Sequence, residues 1–218
     1  MKKILVIISV FVFMAGLAQG QDLGAPKVMG TMLKSYYTFN WNTTFTMGDF
    51  NKWVGQASPA GFGFSGRRIL NGKFILGGDI SWQRVAQDYP METYQDPANG
   101  MAITATNYRF TWMVPFGGTI GYQMMSDKMV SPYVALGIGG DYMEHHLIIQ
   151  EIDRYKERWD FSLTPEIGAV IRFGNFAQWG ALVAFNYKWT TNQIELMNKT
   201  SKDLSMLNLK IGLAYLIF

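Results

Sequence analysis

From residue 35 onward, apolar and polar or small positions alternate with a period of two along most of the chain. Tyr37, Phe39, Trp41, Thr43 and Phe45 interleave with Tyr36, Thr38, Asn40, Asn42 and Thr44. Phe62 and Phe64 interleave with Gly61, Gly63 and Ser65, and Phe74, Leu76, Ile80 and Trp82 with Gly77, Asp79, Ser81 and Gln83. Tyr108, Phe110, Trp112 and Val114 alternate with Asn107, Arg109 and Thr111, and the parity runs on through Phe116, Ile120, Tyr122 and Met124. Val134, Leu136, Ile138 and Tyr142 oppose Ala135, Gly137, Gly139 and Asp141. Trp159, Phe161, Leu163, Ile167, Ala169 and Ile171 oppose Asp160, Ser162, Thr164, Glu166, Gly168 and Arg172. Two further segments follow: Trp179 to Trp189, against Gly180, Ala184, Asn186 and Lys188, and Leu207 to Tyr215, against Asn208, Lys210, Gly212 and Ala214. Successive side chains of a strand face opposite sides, so each segment predicts a strand with one apolar face.

A soluble sandwich also alternates, but its outer face would carry more lysine and glutamate. Here the apolar face is strongly aromatic at both strand ends, and the other face holds glycine and charges of both signs. Apolar outside, polar inside and aromatic girdles at two heights are what a strand crossing a bilayer requires, and most segments approach the roughly 9–11 residues it needs. The pattern therefore predicts an all-β fold: a closed antiparallel up-and-down transmembrane β-barrel of about eight strands. Asn71-Gly72 is a two-residue hairpin signal, and Ser126-Asp127-Lys128 and Gly174-Asn175 are further short turns. The intervening connections, over 47–59, 88–100, 150–157 and 193–203, read as longer polar loops. Short turns alternating with long loops place both termini in the periplasm and the long loops outside the cell.

The N-terminal residues carry a different signal. Lys2 and Lys3 precede an apolar run from Ile4 to Met14, and Ala18-Gln19-Gly20 supplies a small-x-small cleavage pattern. Residues 1–20 are read as a signal peptide, 21–33 as a short periplasmic segment and 34–218 as the barrel. Cleavage removes two of the 19 basic residues, so the formal net charge falls from +3 to +1 (3 − 2). With no basic run in the rest, nucleic-acid binding has no support. Aromatics at 15% and 23 glycines are high, and charged residues at 16% are low, without a transmembrane-helix run. Cysteine is absent, which excludes disulfides, thiolate metal sites and a cysteine nucleophile.

The arrangement resembles the small eight-stranded outer-membrane barrels of the OmpA, OmpX and OmpW type over residues 34–218. Ser131-Pro132-Tyr133-Val134-Ala135-Leu136-Gly137-Ile138-Gly139 looks like the Pro-Tyr-x-x-x-Gly-x-Gly strand opening of such barrels. The resemblance implies a Gram-negative outer membrane, contact with its lipid and lipopolysaccharide, and delivery by the barrel-insertion machinery, which reads a terminal aromatic such as Phe218. One departure is that Tyr215 and Ile217 share the lipid-facing parity and Phe218 does not.

The candidate site is the lumen. Asp79, Arg109, Asp141, Asp160, Glu166, Arg172, Lys188 and Lys210 all fall on the inward parity. An eight-stranded barrel is just wide enough for side chains to fill it, and unpaired charges there would be costly, so a mixed-sign packed network is expected. Trp82, Tyr142, Trp159, Tyr187 and Trp189 form the expected outer interfacial belt, and Tyr37, Phe74, Tyr122, Phe173 and Trp179 the inner one. Arg84, just beyond Trp82, is placed to contact outer-leaflet phosphates or to snorkel. His145 and His146, the two histidines, point to opposite faces of one strand and are poorly placed to share a metal. Glu144 shares the parity of His146, but no serine stands beside them to complete a hydrolase. No catalytic, cofactor or metal residues are therefore assigned. The expected function is a non-enzymatic scaffold or interaction barrel with a plugged lumen, for envelope structure or as a subunit of an outer-membrane assembly with other envelope proteins. A narrow pore or transporter for small or hydrophobic solutes is the alternative, and an outer-leaflet lipid-modifying enzyme a third.

Overall fold

The computed structural model describes residues 32–96, 100–149, 152–174, 177–191, 194–196, 199–201 and 204–218. The expected signal peptide, and the segment after it as far as residue 31, lie outside the described residues. The strands are β1 (Ser35–Met47), β2 (Gly61–Leu70), β3 (Phe74–Asp96), β4 (Met101–Gln123), β5 (Val130–Ile149), β6 (Ile152–Arg172), β7 (Trp179–Thr190), β8 (Ile194–Leu196), β9 (Lys199–Ser201) and β10 (Leu204–Ile217). One short helix, α1 (Phe50–Trp53), lies between β1 and β2. Eight strands close in the order β1-β10-β7-β6-β5-β4-β3-β2, and β8 and β9 make a small separate hairpin.

Every neighbouring pair of barrel strands is antiparallel, and the ring closes where β1 pairs with β10, from Ser35 against Ile217 to Met47 against Ser205. Closure leaves no free edge through the membrane-spanning part, where an unpaired backbone group would find no water. Tyr37, Phe39, Trp41, Phe62, Phe64, Phe74, Leu76, Ile80, Ile120, Ile138, Ile211 and Leu213 are exposed on the outside. Their immediate neighbours Tyr36, Thr38, Asn40, Thr119 and Lys210, with Gln83 and Glu166 on the same parity, are buried in the interior. A protein whose large apolar side chains face out and whose polar ones face in is folded for lipid.

The Asn71-Gly72 turn is built as its sequence requires. Asn71 (φ 52°) and Gly72 (φ 69°) both take positive φ, and the Lys73 amide closes the turn on the Leu70 carbonyl at 3.1 Å. Two proline positions interrupt the ladders without shifting them, and a third, Pro90 in β3, lies where the register with β4 shifts by one between Tyr89 and Glu92. Pairing of β3 with β4 skips Ser81–Trp82 against Val114–Pro115, and pairing of β6 with β7 skips Thr164–Pro165 against Tyr187–Lys188. Proline offers no N–H to the ladder, yet the register resumes unchanged beyond both gaps, so the inside-outside parity survives.

Two expected loops are corrected. Residues 88–96 are strand and pair with β4 as far as Asp96 against Met101, and 152–157 are strand and pair with β5 from Ile152 against Ile149. Their polarity reads as loop, but the register is carried by the partner strand. Opposite 152–157, β5 buries Leu147 and Ile149 on the inner face, and cross-strand pairing holds the polar partner in strand. With β3 and β4 of 23 residues each, β5 of 20 and β6 of 21, the four strands overrun a bilayer crossing by about ten residues. They form a four-stranded arm beyond the barrel rim. The connection over 47–59 carries α1, and of that over 193–203 the described parts are β8 and β9.

Candidate functional site

The interior is filled in three layers. At the end of the short turns, Leu33, Tyr36, Ile69, Ile75, Tyr133, Ala135, Val170, Leu182, Ala214 and Leu216 pack together, with Phe218 against them. The chain end thus folds over the barrel mouth, and this is why Phe218 departs from the lipid-facing parity. The Leu33 amide donates to the Ser126 carbonyl at 3.0 Å, so the barrel proper begins no later than Leu33. At the other end Phe50, Trp53 and Val54 of α1 and its following residue turn inward. They pack on Val85, Met113, Met143, Leu147, Ile149, Ile194, Leu204 and Met206.

Between these apolar layers lies the charge. Glu166 accepts from Arg67 Nη2 at 2.6 Å, from Lys210 Nζ at 2.8 Å, and from the Tyr133 hydroxyl at 2.7 Å. Asp79 lies 3.3 Å from Arg67 and 3.8 Å from Lys210, and also accepts from the Thr119 hydroxyl. Lys188 makes a second pair with Asp141 at 3.1 Å. Asp141 and Asp160 stand directly opposite one another on β5 and β6, a repulsive arrangement on its own. Lys188 answers the first, and Arg158, at 3.7 Å, answers the second. Three cations (Arg67, Lys188, Lys210) thus meet three carboxylates (Asp79, Asp141, Glu166) in this layer. Buried charges persist only where such compensation and added hydrogen bonds are present. A half-open polar cavity of about 60 Å³ remains among them.

The eight expected lumen charges therefore divide. Asp79, Glu166 and Lys210 form one cluster with Arg67, and Asp141 and Lys188 form a neighbouring pair. Asp160, in register with Asp141 and with its side chain buried, is held by Arg158 and the Thr191 hydroxyl. Arg109 sits in the α1 layer, bonded to Asn107 Oδ1 at 3.0 Å, with its guanidinium 4.0 Å from the Tyr89 ring centre and 5.4 Å from that of Trp53. Arg172 is at the opposite end, donating to the Ser126 carbonyl and lying 4.9 Å over the Phe218 ring.

Sequence reasoning missed Arg67, the most connected cation. It lies two positions beyond Ser65 on the inward parity of β2, so carrying the alternation one step further would have found it. It also missed α1, whose four residues are too few to show a helical period. Hydrogen bonds with the barrel wall hold this cap, among them Trp53 Nε1 to the Thr111 hydroxyl at 3.2 Å, the Tyr89 hydroxyl to the Trp53 carbonyl at 3.0 Å, and the Thr46 hydroxyl to the Val54 carbonyl at 2.5 Å.

On the outside, aromatic rings meet in cross-strand pairs at two heights. Near the turns, Phe74 meets Tyr122 at 5.9 Å, Trp179 meets Tyr215 at 5.3 Å, and Tyr37 pairs in register with Tyr215. Phe173 is exposed beside the same end. Toward the arm, Trp82 stacks on Phe62 at 5.7 Å, Tyr142 lies between Trp112 and Trp159 at 5.4 and 4.9 Å, and Tyr187 and Trp189 are exposed on β7. Arg84 lies over the Phe110 ring and donates to the Tyr108 hydroxyl at 3.2 Å, at the start of the arm. His145 points inward, its Nδ1 2.8 Å from the Thr111 hydroxyl, whereas His146 is on the outer face. The two do not converge.

A closed ring of eight antiparallel strands, girdled by aromatics and polar within, is a transmembrane barrel of the outer-membrane type. Solved structures of that class are what it superposes on. Neisserial surface protein A matches at a TM-score of 0.52 with 12% identity, covering 84% of this chain and 97% of the other. The outer membrane protein OprG from Pseudomonas aeruginosa matches at 0.51 with 12% identity, over 88% and 99% of the two chains. A major outer membrane protein from Thermus thermophilus matches at 0.51 with 10% identity, over 84% and 99%. No protein-family model and no curated protein matches the sequence. The shared property is the fold.

Proposed function

We propose that this barrel is a closed, non-enzymatic component of the Gram-negative outer membrane that acts through its outside surface. It serves either as an envelope scaffold or as a subunit of an outer-membrane assembly. The observation that carries this reading is the layered lumen: a charge-balanced middle between two packed, largely apolar layers. A tightly packed and mostly apolar constriction at each end opposes the passage of ions. Phospholipid and lipopolysaccharide are its surroundings, and the exposed aromatic rows are its contacts with them. The short turns and both ends of the barrel chain face the periplasm on this reading, with the arm outside the cell.

The hydrolase alternative has less behind it. Both ring nitrogens of His146 are occupied by carboxylates, and a general base needs one nitrogen free for a nucleophile. The test is conductance in planar bilayers, with folding verified by the mobility difference between boiled and unboiled samples. A folded protein without steady conductance is expected. Steady single-channel current from the wild type would replace the scaffold reading with the narrow-pore one, for which the polar cavity at mid-lumen would be the selectivity region.

A further inference from the structure

The outer face of the arm carries an arrangement that neither membrane insertion nor the lumen explains. His146 on β5 is sandwiched face to face by Phe110 of β4, with ring centres 4.2 Å apart and planes 9° from parallel, and by Tyr155 of β6 at 5.6 Å and 22°. Its Nε2 lies 2.5 Å from a Glu144 carboxylate oxygen on its own strand. Its Nδ1 lies 3.0 Å from Asp153 on β6. His146 is buried overall, and the Glu144 side chain is 15% exposed.

A neutral imidazole has one N–H and one lone pair, so it donates to one carboxylate and turns a lone pair toward the other. Only the imidazolium donates to both. We propose that Glu144, His146 and Asp153 form a protonation-linked latch across the outer β5–β6 hairpin, closed by the imidazolium and loosened when it loses its proton. The fold supplies the reason for loosening as well as for closing. Glu144 stands directly opposite Glu157 on β6, so neutral His146 leaves three carboxylates, Glu144, Glu157 and Asp153, facing one another across two strands. The other groups on this face are Tyr142 of β5, whose hydroxyl hydrogen-bonds Glu157, Tyr155 of β6, Tyr108 of β4, and Arg84 and Asp88 of β3. Arg84 lies over the far partner of the stack, 4.8 Å from the Phe110 ring centre, and bonds Tyr108 rather than a carboxylate. Lys156 and Arg154 are on the opposite parity of β6. His146 is therefore the group on this face placed between the two strands' carboxylates.

The sign follows from the donor count: only the imidazolium donates to both carboxylates, so the latch is held on the acid side and loosens as pH rises.

The test is hydrogen exchange by mass spectrometry on the full barrel in nanodiscs, following peptides across 141–160 and correcting for intrinsic exchange at each pH. The wild type is expected to lose protection several-fold in the outer hairpin as pH rises, with the membrane-spanning parts of the same strands unchanged. His146→Phe keeps a ring in the stack and removes the titrating group, and its hairpin protection is expected not to vary with pH. Asp153→Asn removes one carboxylate and is expected to flatten the profile even if His146→Phe folds poorly. A wild-type profile already flat overturns the latch. So does a His146→Phe or Asp153→Asn profile as steep as the wild type's. None of these outcomes depends on whether the lumen conducts.

Discussion

Arg67 and Glu166, 99 residues apart in sequence, meet at 2.6 Å across the barrel interior with their side chains 1% and 4% exposed. Glu166 also holds Lys210, so one carboxylate answers two buried cations on β2 and β10 and ties them to β6. Glu166→Gln keeps the shape but leaves both cations undercompensated. Breaking a buried pair in this way costs about 3–5 kcal/mol. The variant is expected to unfold from micelles at clearly lower urea than the wild type. Removing both partners should be milder: Arg67→Met combined with Glu166→Leu takes out opposite charges together, and the double variant is expected to be more stable than Glu166→Gln alone.

The lipid face gives the complementary test. Ile167 adjoins Glu166 on β6 and pairs with Val134 and Phe185, both on the outer face. A cation near the bilayer midplane costs about 2–4 kcal/mol. Ile167→Arg should lower the folded fraction recovered in bilayers by an amount that shrinks when the same change is made nearer the interface, as at Ile171. Equal stability of Ile167→Arg and wild type would mean that the two faces of β6 are exchanged.

The inside-outside parity was legible because a closed barrel enforces it at every residue, and no insertion shifted it within the membrane-spanning part. Even the two proline gaps, at Pro115 and Pro165, leave the register in step. What could not be read was the depth of each group. Arg109, Glu166 and Arg172 share one parity, but strand tilt and stagger place them in different layers, and those follow from closure rather than from any local pattern. Strand ends in the arm were equally hidden, since beyond the membrane a polar alternation such as Arg154 to Asp160 looks like a solvated loop. Arg67 was within reach, and α1 was not, because its burial depends on the barrel mouth it fills.

The α1 cap makes a separable prediction. Trp53 is buried against Met113 and Met143 and donates to Thr111, so Trp53→Ala removes both packing and a bond. Loss of a buried tryptophan costs about 3–5 kcal/mol where the site cannot collapse. The expected result is a less stable barrel that still shows no steady conductance, because the layer of Leu33, Tyr36 and Tyr133 at the other end is untouched. Deleting the cap and also changing Tyr36→Ala is the combination expected to leak.

Orientation is tested at the hairpin tips. Residues 152–157 are strand, so an epitope placed there would disrupt pairing with β5 and report on folding rather than on exposure. The insertion belongs between Ile149 and Ile152 instead, where β5 hands over to β6. A second belongs at Gly72 in the tight turn between β2 and β3, where a Cβ would already meet the Met32 side chain. If the arm is extracellular, antibody should label intact cells carrying the first insertion and should require permeabilised cells for the second. The turn insertion is expected to lower the amount of folded protein as well, since it breaks two positive-φ positions, so labelling is compared per folded barrel. The reverse pattern of labelling would turn the barrel over. The α1 cap and the His146 hairpin would then face the periplasm, and the Phe218 end would face outward.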